Sequence, residues 1–171
     1  MPRISLAIVS SNWLDRLDAQ QPWRFLLVLY FLRWLILLPA AALSGWLFPG
    51  ESDTLFQDLG ALQIGTLALS MLILNPCFET LVECTLPYWI LNKIRAPSGR
   101  PWVFIFVSAA LMAVLHQTLP ALIPSLITGL FLAYSYGHFA AQNQVKATLL
   151  TVLFHACINL VGFLLLIFNL I

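Results

Sequence analysis

Glu79, His116 and His155 each sit inside a long apolar stretch of the chain, with Asn159 one helical turn beyond the last. Ionisable side chains at bilayer depth are costly and therefore rare, and they mark functional sites by default. A desolvated carboxyl group gives up less to hold a proton, which makes a buried glutamate a usable general base near neutral pH. Glu83 lies one α-helical turn after Glu79, so the two carboxylates share a face and Glu83 is a candidate second carboxylate. His155 and Asn159 are also one turn apart and can together offer two donors to a developing oxyanion. His116 can orient a water against Glu79. The chemistry these residue types allow is attack of an activated water on an amide carbonyl.

Such residues need a membrane-embedded scaffold to bring them together, and the composition supplies one. The 171-residue chain is 61% hydrophobic and 9% charged, with mean hydropathy +0.92. Soluble domains are about half apolar and a quarter charged. The expectation is an integral, multi-pass membrane protein, an all-α bundle whose surroundings are the lipid bilayer. A net charge of +1 without a basic patch argues against a nucleic-acid partner. Cys77, Cys84 and Cys157 all fall in apolar stretches and lack CxxC spacing, so they read as free, buried small hydrophobes.

Residues 12–21 mix charge with Trp13, Leu14 and Leu17 and read as an interfacial amphipathic lead-in. Residues 23–48 form a first spanning helix. Ala42-Leu43-Ser44 resembles a cleavage site, but the apolar run is long enough to span and reads as retained. Arg33 within it reads as a cation snorkelling to the headgroups. Residues 59–91 are apolar but broken at Asn75-Pro76, and two spans of half that length would be too short for a hydrocarbon core of about 30 Å. One helix kinked at Pro76, just before Glu79, is expected. Further helices follow at 102–116, 122–140 and 147–171. This gives about five transmembrane helices. The arginines of the N-terminus and the basic loop at 93–101 place the N-terminus in the cytoplasm and the acidic loop at 49–58 outside. At about 1.5 Å per residue, Glu79, His116, His155 and Asn159 all fall in the middle region of the bilayer. Gly129 reads as a point of close helix approach, and Trp23, Trp46, Trp89 and Trp102 as an interfacial belt.

Three segments carry a family resemblance: Pro76-Cys77-Phe78-Glu79-Thr80-Leu81-Val82-Glu83-Cys84, then Leu115-His116, then Phe154-His155-Ala156-Cys157-Ile158-Asn159. In order and spacing they resemble the Glu-Glu-x-x-x-Arg, Phe-x-x-x-His and His-x-x-x-Asn signatures of the CAAX-protease and bacteriocin-processing (CPBP, or Abi) intramembrane proteases. The resemblance covers the later part of the chain, so residues 59–171 read as a protease core. Residues 1–58 read as a lead-in followed by a variable first helix. It implies that Glu79 is the catalytic base activating water and that His116 shares that water. It further implies that His155 and Asn159 stabilise the oxyanion. The substrate would be a membrane-associated peptide or protein. Eukaryotic relatives trim prenylated C-termini; a bacterial chain would sit in the plasma membrane and act in peptide maturation, bacteriocin self-immunity or signalling. A metal-free glutamate mechanism with no cofactor is the first expectation. The alternative is zinc held by Glu79, His116 and His155.

The chain departs from the pattern where Thr80 replaces the second glutamate, Cys84 the arginine and Met112 the phenylalanine. The lost arginine motivates a second expectation, a catalytically silent relative acting as a membrane binding, immunity or scaffold protein. A transporter using the buried glutamate as a proton site is a third, disfavoured by the lack of an internal repeat.

Overall fold

The computed structural model describes residues 21–48, 61–94, 101–116 and 118–168. The expected lead-in at 12–20, the acidic loop at 49–58 and the centre of the basic loop at 95–100 lie outside them. Among the described residues there is no strand, and five helices form an all-α bundle. They are α1 (Pro22–Leu47), a composite α2 running from Ala61 to Lys93, α3 (Pro101–Leu115), α4 (Leu119–Ala140) and α5 (Gln144–Ile167).

Four of these, α1, α2, α4 and α5, are long and apolar enough to cross a membrane. The fifth helix, α3, is apolar but shorter. Its 15 residues reach about 22 Å, short of a hydrocarbon core of about 30 Å. The burial pattern fits a membrane protein. Leu35, Trp46, Phe78 and Val114 point outward, while Arg33, Ser44, Glu83, Thr128, Thr151 and His155 are buried. Trp23, Trp46, Trp89 and Trp102 are exposed at helix ends, and Lys93 Nζ stands 3.8 Å over the Trp89 ring, as an interfacial belt requires. Of the three free cysteines only Cys84 is buried. Cys77 and Cys157 are exposed on the outer surface, against the expectation that all three are internal.

The helix ends follow from the sequence. Pro22 begins α1 after an extended Gln21, in the first turn where its missing N–H costs nothing. The Asn143 side chain accepts from Lys146 N at 3.0 Å and so caps α5. This cap starts α5 three residues earlier than the apolar pattern indicates.

The expected disturbance at Pro76 takes the form of a widened turn. Residues Ser70–Leu74 and Thr80–Thr85 of α2 are π-helical, separated by one α-helical stretch, Asn75–Glu79. Both π segments end two residues before a proline. Asn75 N–H bonds to Ser70 O, and the next residue is Pro76; Leu86 N–H bonds to Leu81 O, and the next is Pro87. An interior proline collides with the carbonyl four residues back and donates nothing to it. An extra residue in the preceding turn moves that carbonyl off the ring, and such π-bulges are frequent at functional sites.

Each interior proline also frees a carbonyl, and in lipid the neighbouring helices must satisfy it. In the π register the donor to Met71 O would be residue 76, a proline. Asn159 Nδ2 of α5 donates to Met71 O instead, at 2.9 Å. In α4, Pro124 leaves Pro120 O without its donor, and the buried Ser44 hydroxyl of α1 supplies one at 2.8 Å.

Helix α4 is central, packing against α3, α1 and α5. Gly129 brings α3 and α4 together as expected. A Cβ there would stand 2.8 Å from Ala109 Cα and 3.1 Å from Met112 Cβ. The His138 ring stacks on Phe25 with centroids 4.3 Å apart, tying α4 to α1.

Candidate active site

A cavity of about 260 Å³ opens between α1, α2, α4, α5 and the end of α3. Glu79, His116, His155 and Asn159 all line it, together with Arg33 and Thr128. The four residues singled out in the sequence therefore share one space.

Glu79 is the last residue of the α-helical stretch between the two π segments. Its Oε2 lies 3.2 Å from His155 Nε2, and the histidine side chain is 2% exposed against 20% for the glutamate. One oxygen of the glutamate is thus held by a buried histidine, and the side chain lines the cavity. His155 is fixed by α5, with Phe154 and Ile158 buried beside it.

Helix α3 is short, and this places His116 at its end. The residue follows Leu115 immediately, half-buried, and its Nδ1 lies 2.8 Å from Met112 O. A carbonyl only accepts, so Nδ1 carries the hydrogen and Nε2 of the neutral ring has a lone pair. A nitrogen in that state can accept from a water that also faces Glu79.

Asn159 lines the cavity while its amide nitrogen holds Met71 O. One amide hydrogen is engaged there and the second is available. The asparagine is accordingly both an interhelical tie and a cavity donor. Asn159→Ala should remove the side-chain donor to a carbonyl orphaned by Pro76, and cost about 1–2 kcal/mol of stability. Thermal unfolding in detergent reads this directly, and an unchanged midpoint would show that Met71 O is satisfied otherwise.

Glu83 does not line the cavity, although it is buried at 2% exposure with Oε1 unpartnered. The expectation that it shares the working face with Glu79 assumed α-helical spacing. Glu83 sits in the π segment Thr80–Thr85, one turn beyond Glu79. Thr80 and Cys84, at the divergent motif positions, are buried in the same segment and likewise lie outside the cavity lining.

Arg33 is the residue that sequence reasoning misplaced. It is 5% exposed and turned inward, and its Nε and Nη2 donate to Thr128 Oγ1 at 3.1 and 2.9 Å. The signal was present. Arg33 lies eleven residues after Pro22, about 16 Å along the helix, deeper than a side chain readily snorkels. A cation at that depth points to the bundle interior.

Among the described residues no three His, Cys, Asp or Glu side chains come together in an arrangement that holds a metal ion. Glu79 and His155 contact each other directly, and His116 spends Nδ1 on a backbone carbonyl. Comparison of the chain with protein-family models, with characterised proteins and with solved structures returns no match.

Proposed function

We propose that this chain is an intramembrane endopeptidase that hydrolyses a peptide bond of a membrane-associated peptide or protein, using water activated by Glu79. The observation that carries the reading is the Glu79–His155 pair at 3.2 Å inside a cavity that also takes in His116 and Asn159. The resemblance of these motifs to the CPBP proteases supports the same reading. Topology follows the charge pattern, with the arginine-bearing N-terminus in the cytoplasm.

In this mechanism Glu79 takes a proton from a water shared with His116 Nε2. The water oxygen bonds to the carbonyl carbon, and the carbonyl electron pair moves onto its oxygen. Once Glu79 is protonated its hold on His155 Nε2–H weakens, and that hydrogen turns to the oxyanion together with the free amide hydrogen of Asn159. On collapse the C–N bond breaks and the proton on Glu79 passes to the leaving amine. No cofactor enters these steps.

The test is incubation of purified protein in detergent with a mixed library of hydrophobic and prenylated peptides, read by mass spectrometry. The expected result is a set of discrete cleavage products. Their absence would favour the second reading, a catalytically silent membrane binding, immunity or scaffold protein. What favours that reading is Cys84, a buried thiol where the resembled motif carries arginine.

A further inference from the structure

We infer that Arg33 and Thr128 form a carboxylate-binding subsite in the cavity, placed to hold a carboxylate of the bound peptide. The guanidinium is buried, and among the described residues no carboxylate lies within ion-pair distance of it. Glu79, the acidic group of the same cavity, is paired with His155. A cation in an apolar interior without a counter-charge is expensive, and buried charges are otherwise paired.

The geometry of the guanidinium selects the ligand. Its Nε–Nη2 edge is fixed by the Thr128 hydroxyl, and its Cζ lies 4.8 Å from the Trp34 ring centre. Nη1 is buried and has no partner. What remains is the Nη1–Nη2 edge, two parallel N–H donors that match the two oxygens of a carboxylate. Thr128 accepts from the opposite edge and so holds the fork in orientation before a ligand arrives. The carboxylate can come from two sources, the free C-terminus of the peptide or an acidic side chain within it.

The subsite rests on the cavity being a peptide-binding space, and binding without turnover separates the two claims. The probe is one apolar hexapeptide of leucine and alanine in three forms: free acid, C-terminal amide, and C-terminal amide with one internal glutamate. Binding of each is measured by tryptophan fluorescence, which the contact of Trp34 with Arg33 makes sensitive to this site. Wild type should bind at least one carboxylate form about tenfold or more tightly than the uncharged amide, the range of a charge-assisted bidentate contact. Preference for the free acid assigns a chain terminus; preference for the internal glutamate assigns a side chain. Arg33→Gln, which keeps a donor for Thr128, should bring all three forms to equal affinity. Arg33→Lys keeps the charge without the fork and should retain part of the preference, which guards against a folding defect in the glutamine variant. Equal binding of all forms to wild type, no binding of any form, or a preference that survives Arg33→Gln overturns the subsite. Peptide-library cleavage without carboxylate preference removes the subsite alone. Preference without cleavage leaves it standing and removes the hydrolase reading.

Discussion

Gly129→Val leaves little folded protein. A Cβ at this position meets Ala109 Cα at 2.8 Å, and this atom is backbone, so no rotamer change relieves the contact. Helices α3 and α4 must move apart along their shared face. The expected cost lies at the upper end of the roughly 1–3 kcal/mol of an overpacked interface. Helix propensity works in the opposite direction, because glycine is among the poorest helix formers. A net loss therefore isolates the packing term. Gly129→Ala is the graded version, and its effect on function should exceed its effect on stability. The second clash is with Met112 Cβ at 3.1 Å, and the Met112 carbonyl holds His116 Nδ1. Displacing Met112 displaces the histidine that shares the water. Size-exclusion profile and unfolding midpoint in detergent read the valine variant, and wild-type behaviour in both would show that α3 and α4 tolerate a wider separation.

Glu79→Gln lowers the hydrolysis rate by about 10²–10⁴-fold, the contribution of a positioned general base. The substitution keeps shape and keeps a hydrogen-bonding partner for His155 Nε2, so the bundle should fold as before. It also removes the cost of a carboxylate in a membrane interior. Its unfolding midpoint should be unchanged or raised, the pattern expected where a residue is retained for function at the expense of stability. The contrast with Asn159→Ala is diagnostic, since that variant loses an interhelical tie as well as a cavity donor. A glutamine variant that unfolds early would place Glu79 in the scaffold instead.

The site was legible in the sequence wherever a polar group breaks an apolar run. Glu79, His116, His155 and Asn159 could be picked out on this ground, and they meet in one cavity. Gly129 was legible for a related reason, because a small residue within an apolar helix marks close approach. What failed depended on local geometry. Counting four residues puts Glu83 one turn from Glu79, but it is buried in the π segment ahead of Pro87 and does not line the cavity. The pattern that could have warned of it is visible in retrospect: two prolines eleven residues apart in a helix too long to be interrupted, each needing a widened turn. Arg33 was assigned to the headgroups because it lies in the first half of its helix, whereas burial of Thr128 opposite gives it an internal partner. Tertiary contacts of that kind do not appear in a one-dimensional pattern. Helix α3, expected over 102–116, runs over Pro101–Leu115 and delivers the histidine directly after its last turn.

The central claim is that Glu79 activates water for peptide hydrolysis in this cavity. It is tested most directly by incubating wild type and Glu79→Gln, at matched amounts of folded protein, with the same peptide library. Mass spectrometry then identifies what each protein releases and what each retains. Wild type should release paired fragments, and Glu79→Gln should retain the corresponding intact peptides uncut. Equal cleavage by both proteins, or intact peptide held by both with cleavage by neither, would contradict it.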